Sequence, residues 1–127
     1  MLLKHIGLVC SSEIHSDRFY GGLLGLEKKS SKTVPSELSK QIFNLDSEYK
    51  IVNYADDDIH FEIFIDVQKC FEGKKIEHVC LEVGDLSVFL DKCRAMEVKV
   101  RQIPKADGFL TFISDYDGNL FEIKAKA

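Results

Sequence analysis

The sequence predicts an α+β domain made of two copies of a βαβββ module. Three observations lead there. Residues 5–10 read His-Ile-Gly-Leu-Val-Cys and residues 78–83 read His-Val-Cys-Leu-Glu-Val, so two segments open on histidine and then alternate as half-buried strands do. Residues 61–64 read Phe-Glu-Ile-Phe and residues 121–124 read Phe-Glu-Ile-Lys, so each half also closes on a glutamate-bearing strand. Between these ends, each half carries a helix-spaced apolar stripe and then further strand patterns.

The bulk composition suits this plan. The chain has 127 residues, 45% hydrophobic and 30% charged, enough for one compact domain with a real core. Its formal net charge is −4, and its 17 Lys and Arg are scattered, which speaks against nucleic acid or an anionic membrane as partner. The segment from Met1 to Ile6 lacks the charged lead, apolar run and small-residue cleavage site of a signal peptide. No apolar run approaches the ~20 residues of a membrane span. Cys10, Cys70, Cys80 and Cys93 form no CxxC pair and lie in or beside apolar runs. They are expected to be small buried hydrophobes in a reducing, cytoplasmic setting, and their spacing argues against a Cys-rich structural zinc site.

The second half, about 77–127, is the cleaner one. Strand 77–83 runs into Gly84 and Asp85, a good N-cap. A helix over about 85–96 follows, with Leu86, Phe89, Leu90, Cys93 and Met96 on one face. A strand at about 98–103 should end at Pro104, which has no N–H for a ladder. Asp107-Gly108 marks a turn, strand 109–114 follows, and Asp115-Tyr116-Asp117-Gly118-Asn119 makes a tight connection to the last strand, 120–125.

The first half, about 1–66, repeats the plan. A strand is expected at 3–9. Ser11 or Ser12 caps a helix over 12–23 carrying Ile14, Phe19, Leu23 and Leu24. Gly21-Gly22 weakens its last turn by roughly 1 kcal/mol per glycine, and Gly25 stops it. A glycine pair at a helix end is not a phosphate loop. Strands follow at about 26–33, 49–55 and 59–66, the last two joined across Asp56-Asp57-Asp58. Residues 66–76 link the halves, with Gly73, Lys74 and Lys75 at the turn. His5 and Glu62 are 57 positions apart and His78 and Glu122 are 44, so the first half holds an insertion of 13 residues. Segment 34–47 is the candidate. Its Pro35-Ser36-Glu37-Leu38 start and its Leu38, Ile42, Phe43 and Leu45 predict a short helix whose apolar face is buried, as a lid over a pocket or as a dimer contact.

Four motifs in order resemble the vicinal oxygen chelate superfamily of glyoxalase, bleomycin-resistance and dioxygenase proteins. They are His5-Ile6-Gly7-Leu8; Phe19-Tyr20-Gly21-Gly22-Leu23-Leu24-Gly25-Leu26; His78-Val79-Cys80-Leu81-Glu82-Val83 followed by Asp85-Leu86; and Asp115-Tyr116-Asp117-Gly118-Asn119-Leu120-Phe121-Glu122, where Tyr116 stands in the usual proline position. The resemblance implies a single domain, residues 1–127, of two modules related by a pseudo-two-fold axis, each curling into half of a cupped, mixed sheet. It also implies metal ligands projecting inward from the first and last strand of each module, which here are His5, Glu62, His78 and Glu122.

The chemistry of the residues agrees. Residues two apart on a strand share a face. Glu62 therefore faces away from Phe61 and Ile63, and Glu122 away from Phe121 and Ile123. His5 and His78 likewise oppose Ile6, Leu8, Val79 and Leu81. Four ionisable groups in a half-buried cup are costly unless paired, and one divalent cation (Zn, Ni, Co, Mn or Fe) satisfies two imidazoles and two carboxylates together. His60 shares the face of Glu62, either as a partner of the ligands or as a solvent-facing strand-end residue. His15 is expected at the surface, and Lys28, Lys29 and Lys32 on a solvated strand face. The set of two His and two Glu is similar to glyoxalase I, which isomerises hemithioacetals. That implies a lyase or isomerase acting on a small carbonyl or thioester, with Glu122 and Glu62 as proton-handling groups, in a homodimer. The alternative is a binding protein of resistance type that holds a small molecule without chemistry.

Overall fold

In the computed structural model the described residues are 1–69 and 76–127. The expected turn at Gly73, Lys74 and Lys75, and the expected burial of Cys70, lie outside them. The chain divides into two compact units, residues 1–70 and 71–127.

The first unit runs β1 (Ile6–Cys10), α1 (Glu13–Ser16, continued by π-helical turns over Asp17–Leu23), β2 (Glu27–Val34), α2 (Ser36–Phe43), β3 (Tyr49–Ala55) and β4 (His60–Ile65). The second runs β5 (His78–Val83), α3 (Leu86–Ala95), β6 (Lys99–Lys105), β7 (Gly108–Ser114) and β8 (Leu120–Ala125). Strand orders are β1-β4-β3-β2 and β5-β8-β7-β6. In both sheets the first strand lies parallel to the last and the other pairs are antiparallel. These are the two βαβββ modules of an α+β fold, with α2 added to the first. Among the described residues no helix is long and apolar enough to cross a membrane.

Alternation decides what each sheet buries. In the first unit Val52, Tyr54, Phe61 and Ile63 are fully buried on the helix side, under Phe19 and Tyr20. The Tyr20 ring packs against Phe19, Tyr54 and Phe61 at 4.9, 5.6 and 5.3 Å. In the second unit Ile113, Phe121 and Ile123 are buried with Leu90 and Cys93 of α3, two members of the expected stripe. Helix starts follow the sequence: Ser12 Oγ accepts from His15 N, and Asp85 Oδ1 accepts from Val88 N. Gly25, at φ 72°, ends the first helix as expected.

Several elements depart from expectation for identifiable reasons. β1 begins at Ile6 and not at residue 3, because its ladder is with β4, which starts at His60, and Met1, Leu2 and Leu3 stay exposed. The helix over 12–23 widens into π-turns, with Leu24 N bonding Phe19 O five residues back, where Gly21-Gly22 offers the weakest α-helical preference. Pro104 does not end β6. The strand continues to Lys105, with Pro104 opposite Phe109, because β6 is an edge strand. Segment 34–47 does form a short helix, but Leu38, Ile42 and Phe43 remain 44%, 59% and 44% exposed. The fully buried side chain on α2 is the small Ser39, and Phe43 meets the sheet edge-on at Phe64, ring centres 5.5 Å apart.

Lys28 is also more than part of a solvated face. With Lys50 it clamps the acidic first turn of α1 to the sheet. Lys28 Nζ lies 2.7 Å from Glu13 and 3.0 Å from Asp17, and Lys50 Nζ lies 2.7 Å from Glu13. The Tyr54 hydroxyl donates to Asp17 Oδ1 at 2.7 Å. Hydrogen bonds from both lysines hold the Glu13 carboxyl below its ordinary 4.5, and bonds to Glu13 and Asp17 hold Lys28 above its ordinary 10.5. Burial, and then the bond to Asp17, push the Tyr54 hydroxyl above its ordinary 10.0.

Tyr54→Phe is expected to cost about 1 kcal/mol near neutral pH, at the low end for a hydrogen bond to a charge because Asp17 is partly solvated. Folding raises the Tyr54 pKa, so its contribution is whole below about pH 10 and is lost as pH rises further. Glu13 works in the opposite sense, contributing stability above its ordinary 4.5 that is lost as pH falls through its lowered folded value. Urea unfolding of wild type and variant at about pH 7 and about pH 11 checks this: the gap should narrow at the higher pH.

Candidate functional site

The parallel pairing of first and last strands sets the site in each module. In the first unit Gly7 is the register partner of Glu62; in the second, Cys80 is the register partner of Glu122. His5 lies two residues before Gly7, and His78 two before Cys80. The two His/Glu pairs therefore occupy equivalent positions, each on the sheet face turned away from its helix. Both glutamates are half-buried, while their neighbours Phe61, Ile63, Phe121 and Ile123 are buried on the other face.

In the first unit His5 Nε2 stands 3.4 Å from Glu62 Oε1, with side chains 46% and 16% exposed. His60 joins them, its ring centre 5.7 Å from that of His5. It is not a simple strand-end residue, because its Nε2 lies 2.8 Å from Asn53 Oδ1. Asn53 is buried and donates its Nδ2 to Ser30 O at 3.0 Å. That second bond orients the amide, so Asn53 Oδ1 accepts from His60 Nε2–H and leaves His60 Nδ1 as the acceptor in the neutral ring. The sequence reading missed Asn53. Its signal was a polar residue between Val52 and Tyr54 in an otherwise apolar strand.

In the second unit His78 Nδ1 lies 2.8 Å from Ile76 O. A carbonyl only accepts, so Nδ1 carries the proton and Nε2 keeps its lone pair, the tautomer a metal ligand needs. The His78 ring also meets Phe112 edge-on at 5.8 Å, and Phe112 is the register partner of Glu122 on the far side from Cys80. Glu122 is aimed by the turn before it. Asp115 Oδ1 accepts from the N–H groups of Asp117 and Asn119 at 2.9 and 2.8 Å, Asp115 Oδ2 accepts from Asn119 Nδ2 at 2.8 Å, and Gly118 takes φ 85°. This is the physical content of the Asp-Tyr-Asp-Gly-Asn motif. Tyr116 uses its place in the motif to donate to Met96 O at 2.7 Å, tying the turn to the end of α3.

Cys80 corrects the expectation of a buried structural thiol. It is exposed, whereas Cys10 and Cys93 are buried. Burial pushes the Cys93 thiol up to about 11. Cys80 lies two residues after His78, and the alternation His78, Cys80, Glu82 against Val79, Leu81, Val83 already put it on the ligand face. Its thiol is raised above the ordinary 9.0 by lost hydration, then by the charge of Glu122 and a hydrogen bond to it.

Each module thus brings one imidazole and one carboxylate to one face. Among the described residues no group of three or more His, Cys, Asp or Glu is assembled for a metal. The donor types suit a divalent cation: His78 presents a nitrogen whose lone pair is directed by a backbone carbonyl, and Glu62 and Glu122 are half-buried carboxylates. His15 is exposed and away from this set, as expected.

No protein-family model matches the sequence, and no curated protein is similar enough in sequence to count as a relative. Solved structures do match. The fosfomycin resistance protein FosX from Listeria monocytogenes matches with TM-score 0.74 and 15% identity over 100% of this chain and 94% of that one. FosX from Mesorhizobium loti matches with TM-score 0.72 and 14% identity over 98% and 91%. A glyoxalase family protein from Enterococcus faecalis matches with TM-score 0.72 and 18% identity over 96% and 95%. The Listeria FosX has been crystallised with Mn(II) and sulfate, and a variant of it with Mn(II) and 1S,2S-dihydroxypropylphosphonic acid. The present chain has the fold of these structures, the two-module α+β fold that its sequence motifs implied.

The hydrogen bonds assign two opposite histidine tautomers. Long-range ¹⁵N–¹H correlation spectra of the neutral imidazoles in metal-free protein are expected to show His78 protonated at Nδ1 and His60 at Nε2. Asn53→Ala should release His60 to the mixed tautomers of free imidazole and leave His78 unchanged. A single pattern for both residues in wild type would contradict the assignment.

Proposed function

We propose that the chain is a divalent-metal-dependent lyase or isomerase of the glyoxalase type, acting on a small carbonyl or thioester substrate. The observation that carries this reading is the register equivalence of His5/Glu62 and His78/Glu122. Two copies of a module have kept the same two donor types at the same two positions, on the face that the core does not need. This reading takes residues 1–127 as one domain that works as a homodimer, and takes both His/Glu pairs as necessary for the metal. Mn(II) in the Listeria FosX crystals supports a divalent metal for this donor set. Cytoplasmic action belongs to the same proposal, since four scattered cysteines with no CxxC pair suit a reducing compartment.

In this reading His5, Glu62, His78 and Glu122 hold the cation (Zn, Ni, Co, Mn or Fe), which when bound supplies Lewis acidity toward a substrate oxygen. The chain's own groups do the rest. His78 presents Nε2 because Ile76 O holds Nδ1–H, and Asn53 orients His60 beside His5. Glu122 would take a proton from the hydroxyl-bearing carbon next to the carbonyl and return it to the carbonyl carbon, while the hydroxyl proton passes to the former carbonyl oxygen, so the step is an isomerisation with no net redox change. The Cys80 thiol donates to Glu122 and moderates its basicity. Glu62 is the equivalent carboxylate of the other half and the second proton-handling group of this reading.

The alternative is a binding protein of resistance type that performs no chemistry. Elemental analysis of purified protein, followed by a turnover screen on hemithioacetals of 2-oxoaldehydes, acyl-CoA thioesters and fosfomycin, separates the two. The enzyme reading expects a stoichiometric divalent metal and turnover of one class. It also expects Glu122→Gln to lower turnover by roughly 10²–10⁴-fold while reducing metal content much less. Metal-free protein that binds a substrate unchanged would establish the alternative.

A further inference from the structure

The open faces of the two modules differ beside their glutamates. Register makes Asn53 and Phe112 equivalent, since each pairs with the glutamate of its module, and makes His60 and Leu120 equivalent, each two residues before that glutamate. The second module therefore builds the same sheet with an aromatic and an aliphatic side chain where the first carries an amide and an imidazole. A third difference accompanies these two. The β2–β3 register breaks between Lys28 and Ser31, whereas the β6–β7 register runs without interruption from Lys99 to Lys105. The break leaves Ser30 outside the paired ladder, and its carbonyl accepts from Asn53 Nδ2 at 3.0 Å. Bulge, amide and imidazole thus form one chain of contacts that the other copy of the fold does without.

These contacts end on an unpaired nitrogen. Asn53 Oδ1 accepts from His60 Nε2–H at 2.8 Å, so Nδ1 holds the lone pair of the neutral ring. Among the described residues Nδ1 has no hydrogen-bond partner. The two nitrogens of an imidazole point to opposite sides of the ring. Asn53 is on β3, so Nδ1 is turned toward the β1 side of β4. His5 stands on that side, one residue before Ile6, whose register partner Phe61 follows His60. The two ring centres are 5.7 Å apart, and Glu62, beside His5, is the next residue on the same face of β4. His60 is half-buried. An acceptor held in one tautomer and left unpaired beside two proposed ligands is placed for a donor that the protein itself does not supply. We propose that His60 contacts the substrate: its Nδ1 accepts a hydrogen bond from a hydroxyl on the carbon next to the substrate's carbonyl, and Asn53 is its positioning residue. This rests on the proposed function and deepens it, by selecting hydroxycarbonyl compounds over carbonyl compounds without such a donor.

Metal-free full-length protein titrated with α-hydroxyacetophenone and with its methyl ether tests this, by ligand-observed NMR and by the ¹⁵N resonances of the histidine rings. The ether keeps the aryl ketone and removes the donor. The hydroxyketone is expected to bind about tenfold tighter, the scale of one well-placed hydrogen bond. It should also move His60 Nδ1 upfield, as a ring nitrogen moves when its lone pair accepts a hydrogen bond, and the ether should leave that resonance in place. His60→Gln separates contact from structure. Its amide still donates to Asn53 Oδ1 but offers no acceptor at the position of Nδ1, so both probes should bind equally, at the affinity of the ether for wild type. Asn53→Ala should shrink the preference severalfold, in step with the mixed tautomers of His60. Equal binding of both probes to wild type, an unmoved His60 Nδ1 with the hydroxyketone bound, a full preference in folded His60→Gln or in Asn53→Ala, or no binding of either probe would each overturn the proposal. If His60→Gln does not fold, the Nδ1 resonance of wild type decides alone. The probes are read without metal. Absent metal with these results intact would overturn the proposed function alone, and bound metal without the hydroxyl preference would overturn this proposal alone.

Discussion

The structure depends on one constraint, the parallel pairing of the first strand of each module with its last. Parallel neighbours cannot be joined by a tight turn. The chain must leave β1 or β5, cross the sheet as a helix and return through the antiparallel strands before it can lie beside its own start. That return brings the beginning and end of the module together, His5 beside Glu62 and Cys80 beside Glu122. It also gives the sheet a covered face and an open one. A shift of the β1–β4 ladder by one residue would turn Phe61 and Ile63 outward and Glu62 into the core. The fully buried aromatics Phe61 and Phe121 therefore hold the register of the polar groups on the opposite face.

Much of this was legible because it rests on period-two alternation and on turn chemistry. The strand pattern at 120–125 matches β8 residue for residue, and the Asp115–Asn119 turn forms the bonds its composition predicts. The repeat of His and Glu at the module ends showed two similar halves, and the resemblance carried by the four motifs implied how each half folds. What stayed hidden depends on neighbours in space. Pro104 reads as a stop until β6 is known to be an edge. Lys28 reads as a solvated residue until α1 brings Glu13 and Asp17 over it. The apolar face of α2 reads as buried, but in the structure Ser39 makes the close approach and Phe43 supplies the edge of a cleft.

Cys80 and Asn53 show two ways in which a site residue escapes notice. Cysteine is among the most buried residue types, and that general tendency outweighed the alternation that put Cys80 on the face of His78. Asn53 makes its contribution through bonds to His60 and Ser30, residues that only the β2–β3–β4 ladder brings together. Both now surround the carboxylates and imidazoles with specific donors and acceptors. The open faces are built from oriented polar groups, in keeping with the rule that supporting hydrogen bonds set the tautomer and basicity of a ligand.

The central proposal is that the donors of both modules, His5/Glu62 and His78/Glu122, are needed to hold one divalent metal per chain. Titration of the full-length protein with Mn(II), followed by electron paramagnetic resonance of the free ion, measures this directly. The account expects one tight site per chain, lost both in His5→Ala/Glu62→Gln and in His78→Ala/Glu122→Gln while the remaining module keeps its fold. One Mn(II) per chain retained after either double substitution would contradict it, because a site complete within one module does not need the other.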